Sequence, residues 1–245
     1  AVDYARATNN SLAAAVARSG GRLLALGTVP LPHVDRAVEE LRRGVRELGL
    51  RGVEIGSQVG GLDLDDAALR PFWAEAEALG AAVFVHPTDG GVGVLRRPGQ
   101  PLGFGLGMTT DTAIAASALV FGGVLEAFPR LRVGLAHGCG TFPWAYPRLS
   151  LGAEIFSGVA RGSYDHLVRS LWADSLVFDP AMLPLLLARF GADHVVLGTD
   201  HPFVAGQFEE ARAFLAQAQH DGVLDAQQAR AVWRENGLAF VGGPA

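Results

Sequence analysis

The chain has 245 residues, 49% of them hydrophobic and 18% charged, which is enough apolar material for a sizeable core and too much for a disordered polymer. Its 25 acidic and 20 basic residues give a net charge of -5, too mild for the basic stripe of a nucleic-acid binder, and the length by itself suits a complete α/β barrel of ~250 residues. All 20 basic residues are arginine. Within these residues that excludes a Walker-type phosphate loop, a Schiff-base enzyme and a dinuclear hydrolase bridged by a carbamylated lysine, each of which needs an amine.

The single cysteine, Cys139, has no partner for an internal disulfide, and the longest apolar runs, such as 113–120, are too short for a bilayer. The expectation is a cytoplasmic protein with neither a membrane nor a nucleic-acid partner.

In chain order, residues 1–19 are Ala-rich, and Asn9, Asn10 and Ser11 are expected to cap a helix running to Arg18. Residues 22–29 form a short apolar run ending at Pro30, the composition of a buried strand. Val38, Leu41, Val45 and Leu48 recur at spacings of three and four between charged residues, which predicts an amphipathic helix over 35–48. The unit repeats: strand 52–56 with helix 69–79, strand 82–86 with helix 109–128, strand 131–137 with a loop and short helices, strand 171–174 with helix 180–190, and strand 193–200 with helices 208–220 and 225–240. Residues 89–107, rich in glycine and carrying Arg96 and Arg97, form the longest expected loop.

Six alternating strand–helix units without hairpin signals predict a parallel sheet covered by helices in one domain spanning 1–245. Such units suit either a doubly wound sheet or part of an eightfold (β/α)8 barrel. Glu54, His86, His137, Asp174 and Asp200 all fall at or near carboxyl ends of different strands, and only a barrel converges those ends on one mouth.

Two imidazoles, His86 and His137, and the Asp200 carboxylate are ligand types of a catalytic zinc site, which holds a water whose pKa the metal lowers to about 7. From these three residues alone, a metal site and satisfied structural polar groups are equally good readings. Cys139 reads as a small buried residue, Trp73, Trp144, Trp172 and Trp233 as packing residues, Arg96 and Arg97 as a solvated pair, and His201 as a surface residue.

The segments His86-Pro87, 122–143 (Gly-Gly-Val-Leu-Glu-Ala-Phe-Pro-Arg-Leu-Arg-Val-Gly-Leu-Ala-His-Gly-Cys-Gly-Thr-Phe-Pro) and 197–203 (Leu-Gly-Thr-Asp-His-Pro-Phe) resemble the amidohydrolase-related, metal-dependent decarboxylases of the 2-amino-3-carboxymuconate-6-semialdehyde decarboxylase kind. Residues 9–13, 27–30 and 47–56 resemble that family too, in the same order, so the likeness covers nearly the whole chain. It implies an eightfold TIM-type barrel of the amidohydrolase kind with a single Zn2+. By the resemblance His86 and Asp200 are metal ligands and His137 is the catalytic histidine. Arg148 corresponds to an arginine that reaches a substrate carboxylate across a homodimer interface, a role that suits the guanidinium fork.

The departures are equally specific. The seven histidines stand at 33, 86, 137, 166, 194, 201 and 220, and the family's His-x-His ligand pair is not among them. The first residue corresponds to the helix after the family's second strand, so the resemblance implies that about six of eight units, and half of the protein ligands, fall within these residues. Thr88, Gln58 and His201 replace a family Trp, His and Tyr, and Phe156 stands where the family has a second carboxylate-binding arginine, which weakens the case for the aminocarboxymuconate substrate itself.

The expected activity is therefore zinc-dependent, non-oxidative decarboxylation of a small unsaturated or aromatic carboxylate by a homodimer. The alternatives are a metal-dependent hydrolase of an ester, lactone or amide, and a metal-free truncated barrel without catalytic activity.

Overall fold

A computed structural model of the chain describes residues 1–88, 91–203 and 206–243. Five strands, β1 (Gly52–Gly56), β2 (Ala82–His86), β3 (Arg132–Leu135), β4 (Trp172–Asp174) and β5 (Val195–Val196), pair in that order, and every pair is parallel. The order bears out the expected barrel winding over a doubly wound sheet. A doubly wound sheet reverses its strand order at a switch point, whereas strands that succeed one another in chain order wind in one direction, as in a (β/α) barrel. Among the described residues the sheet is an open arc, since β5 pairs with β4 alone.

The strand expected at 22–29 is corrected to a single parallel bridge, Gly27 to Val53. The Gly27 amide donates to the Gly52 carbonyl (2.9 Å), the Glu54 amide to the Gly27 carbonyl (2.8 Å) and the Arg51 amide to the Ala25 carbonyl (2.9 Å). Leu23 and Leu24 are exposed rather than buried. The segment occupies the position beside β1, but Pro30 offers no amide to continue the ladder. The 193–200 strand is likewise shortened to two residues, because Leu197 turns its amide to the Val232 carbonyl (2.9 Å).

Strand alternation gives the sheet two faces. Val53, Ile55, Val83, Val85, Val133, Leu135, Ala173 and Val195 join the helices in the main core. The opposite parity carries Glu54, Phe84, Gly134, Trp172 and Val196, and Trp172 and Val196 pack with Phe240 from the C-terminal helix Asn236–Phe240 in a smaller cluster. Trp172 and Phe240 ring centroids lie 5.5 Å apart. His86 and Asp174 follow the second parity, which is why both face the mouth of the arc.

The helices follow the sequence periodicity with two corrections. Helix Val2–Arg18 runs unbroken through Asn9, which is no cap: it is buried, its Nδ2 donates to the Thr28 carbonyl (2.9 Å) and Glu40 Oε1 (2.7 Å), and its Oδ1 accepts the Thr28 amide (2.8 Å). The helix expected over 109–128 breaks at Gly122 and Gly123 into Met108–Phe121 and Val124–Ala127, since Gly123 takes φ 78. The long loop is shorter than expected, because Gly103–Gly107 already forms a wide helical turn leading into Met108–Phe121; Asp89 and Gly90 lie outside the described residues. Gly103–Phe121 is long and apolar enough to cross a membrane, and half of it is buried inside this fold.

Candidate metal centre and active site

His86 closes β2, and Pro87 follows with no amide to extend the strand. The imidazole Nδ1 lies 2.8 Å from the Pro87 carbonyl oxygen. A carbonyl only accepts, so Nδ1 carries the hydrogen and Nε2 presents its lone pair to the mouth.

His137 leaves β3 through a left-handed turn. His137 (φ 58), Gly138 (φ 61), Cys139 (φ 66) and Gly140 (φ 59) all have positive φ, and the Gly140 amide donates to the His137 carbonyl at 2.9 Å. Such a conformation costs about 1–3 kcal/mol at each non-glycine residue and persists only where the surroundings impose it. Here Asp174, buried at the end of β4, imposes it: its Oδ1 accepts the Gly138 amide (2.9 Å) and the Leu176 amide (3.1 Å). A Cβ on Gly198 would lie 2.7 Å from Asp174 Cβ, so that loop closes tightly on this residue, while one on Gly138 would lie 2.5 Å from Val177 Cγ1, so the turn packs closely on the segment after β4.

Asp200 follows β5 in a left-handed conformation of its own (φ 49). Its Oδ1 lies 3.4 Å from His86 Nε2 and its Oδ2 3.8 Å from His137 Nε2. The two imidazoles meet edge to face with centroids 4.9 Å apart. One ligand atom from each of the three residues falls within 4.8 Å of the others. A carboxylate flanked by two imidazole nitrogens, one of them fixed as a lone-pair donor, fits a divalent cation of the kind imidazole and carboxylate ligands take.

Burial pushes the His137 pKa below the ordinary imidazole value; the Asp174 charge opposes this, the neighbouring His86 adds to it, and Asp200 opposes it through charge and hydrogen bonding. Burial likewise pushes Asp174 up, while His137 and the amides of Gly138, Leu176 and His137 pull it back. Cys139 is fully buried and its thiol is driven up by burial and by the Asp174 charge, the inert residue expected.

The structure thus brings together His86, His137 and Asp200 and leaves Arg148 apart, exposed on helix Phe142–Ser157. Arg96, Arg97 and His201 are exposed as expected. Trp73 and Trp172 pack as expected, but Trp144 is 78% exposed and Trp233 lies under Arg212, its ring centroid 5.5 Å from the guanidinium carbon. Sequence reasoning left Asp174 unassigned, although its place at a strand end carried the signal. It also gave no sign of an apolar cavity of about 390 Å³ that opens beside His137. A second cavity of about 500 Å³, on the inner side of the arc, is lined by His86, His137, Asp174 and Asp200 together with Glu54 and Phe240.

The profile of the amidohydrolase family matches residues 3–243, and the chain belongs to that family. It is 38% identical over 211 residues to 2-amino-3-carboxymuconate-6-semialdehyde decarboxylase of Dictyostelium discoideum, a match covering 84% of this chain and 58% of the relative. It is 30% identical over 261 residues to the decarboxylase of the same name from Caenorhabditis elegans, covering 85% of this chain and 65% of that one. The chain therefore spans about three fifths of the length of these relatives. Among solved structures, a dihydroxybenzoic acid decarboxylase from Polaromonas with bound manganese and 2-nitroresorcinol superposes with a TM-score of 0.79 at 19% identity, covering 98% of this chain and 75% of that one, a likeness of fold.

Proposed function

We propose that the protein is a metal-dependent, non-oxidative decarboxylase of a small unsaturated or aromatic carboxylate. The observation that carries this reading is the convergence of His86 Nε2, His137 Nε2 and the Asp200 carboxylate from three strand ends on one point. The names of the two relatives from Dictyostelium discoideum and Caenorhabditis elegans, both decarboxylases, support the same chemistry.

In this proposal His86 and Asp200 hold the cation; zinc is among the ions that imidazole suits, and manganese, which suits carboxylate, is the competing ion. When bound, the cation supplies positive charge that anchors the substrate and steadies the negative charge developing on it. His137 acts separately, its Nε2 moving a proton to the carbon that bears the carboxylate. The bond from that carbon to the carboxylate then breaks, its electron pair stays with the substrate, and carbon dioxide leaves. Asp174 is a positioning residue in this scheme, because it fixes the turn from which the His137 ring projects.

We further propose a homodimer in the cytoplasm. Trp144, Arg148 and Ile155 share one face of helix Phe142–Ser157, and Trp144, Ile155 and the neighbouring Phe156 are exposed, an apolar stripe of the kind that a second copy covers. In such a dimer Arg148, exposed on the same helix, would serve the partner's substrate carboxylate. The lone buried thiol of Cys139 suits a reducing compartment.

The test is product analysis of the metal-loaded protein on a panel of aromatic and unsaturated acids, esters and lactones. Carbon dioxide with the decarboxylated product is expected. Ring-opened or hydrolysed acid without carbon dioxide would assign a hydrolase instead, and absence of both products and of bound metal would sink the enzyme reading.

A further inference from the structure

The cavity of about 390 Å³ beside His137 differs in character from the ionisable cluster it adjoins. Its walls are Phe104, Met108, Val177, Phe178, Met182 and Leu186, and His137 with Gly138 closes one side. Among the described lining residues there is no Asp, Glu or Arg. The Thr109 hydroxyl, one of the few polar groups there, is already committed to the Gly105 carbonyl (2.7 Å). At the rim Phe104 meets Phe178 and Phe203 with centroids 6.1 Å apart in each case, and all three rings are exposed although they come from three separate segments.

Resting on the decarboxylase reading, we propose that this cavity is a subsite for an apolar substituent, so that the substrate is an aromatic monocarboxylic acid bearing an alkyl chain. A second carboxylate entering here would lose its hydration and meet no cation, a severe penalty. An alkyl group loses nothing and covers rings and methionines that are otherwise open to water. The volume lies within the usual range for a small-ligand pocket. Gly138 and Val177 pack closely in that wall, since a Cβ at 138 would sit 2.5 Å from Val177 Cγ1.

The experiment is calorimetric titration of the metal-loaded protein with salicylate, with its methyl, propyl and pentyl derivatives at each free ring position, and with isophthalate. In at least one positional series the Kd falls about fourfold for each added methylene, while isophthalate binds at least about tenfold more weakly than the alkylated acids. Met182→Glu, at an exposed wall residue, abolishes the gain with chain length. No gain in any series, or tighter binding of isophthalate, overturns the proposal on the unmodified protein alone. If no series gains and Met182→Glu turns a dimer into a monomer, the cavity belongs to a second copy and the proposal also falls. Carbon dioxide from salicylate without a chain-length gain defeats the subsite and leaves the decarboxylase standing; a chain-length gain without carbon dioxide does the reverse.

Discussion

Asp174 Oδ1 accepts the amide of Gly138 at 2.9 Å, which ties the end of β4 to the left-handed turn that carries His137. Asp174→Ala leaves the Gly138 and Leu176 amides buried without that acceptor and should destabilise the protein by about 2–4 kcal/mol. Asp174→Asn keeps an oxygen at the same place and should lose clearly less. Urea unfolding of both variants checks the ranking. In the active protein a displaced His137 should lower kcat by about a hundredfold with little change in KM; equal losses in the two variants would argue against a positioning role.

Gly140→Ala tests the same turn from its other end. Gly140 takes φ 59, and a Cβ there would overlap the backbone carbonyl oxygen of Thr109, which cannot swing aside as a side chain would. The variant should lose soluble expression or fall in Tm by more than any surface substitution of the following helix Phe142–Ser157. Thermal unfolding beside Gly152→Ala, where a Cβ meets nothing, gives the comparison.

Acid should unfold the first layer of helices through Glu40. Burial alone would raise its pKa, but hydrogen bonds from Arg43 and Asn9 and the charges of Arg43 and Arg6 outweigh burial and hold it below the ordinary 4.5. A depressed carboxylate contributes stability that is complete above its unfolded pKa and is lost as pH falls through the folded one. The urea midpoint should therefore drop below about pH 4.5, and Glu40→Gln should flatten that part of the profile. At neutral pH, Asn9→Ala should cost about 2–3 kcal/mol through the amide and carbonyl of Thr28 and the carboxylate it abandons.

His86→Ala and Asp200→Asn should each lower divalent-ion retention, measured by elemental analysis after dialysis, while far-ultraviolet circular dichroism stays unchanged, because both side chains are partly exposed, at 27% and 22%. Chelation of the parent protein should abolish carbon dioxide release, and zinc or manganese should restore it. Full activity of the chelated protein would contradict the metal assignment.

Phe156→Glu places a charge on the exposed stripe of helix Phe142–Ser157 and should shift sedimentation from dimer to monomer, with the stability of the isolated fold changed by under about 0.5 kcal/mol. Arg148→Ala should leave the sedimentation profile intact and raise KM for the carboxylate substrate. A protein that sediments as a monomer at every concentration would refute the dimer.

The barrel winding and the three converging residues were legible because both depend on strand ends, and apolar runs such as 82–86 that stop at His-Pro mark an end in one dimension. Strand extent was not legible. Residues 22–29 have strand composition, yet a strand needs a run of paired residues, and here the contact with β1 amounts to a single bridge at Gly27 with one further bond to the Ala25 carbonyl. Asn9 misled for a similar reason: an asparagine near the front of a helix looks like a cap until Thr28 and Glu40, 19 and 31 residues away, claim its amide. The apolar cavity was hidden because its walls come from 104–109, 137–144 and 176–186, and none of these segments is unusual in sequence alone.

That division of the cavity walls has a consequence for substrate choice. His86, His137 and Asp200 are fixed by strand ends and by left-handed turns that tolerate little change, whereas Phe104, Met108 and Met182 stand on helical turns outside them. On the proposed decarboxylase reading, exchange of those apolar side chains would alter which acid is taken without disturbing the residues assigned to the chemistry.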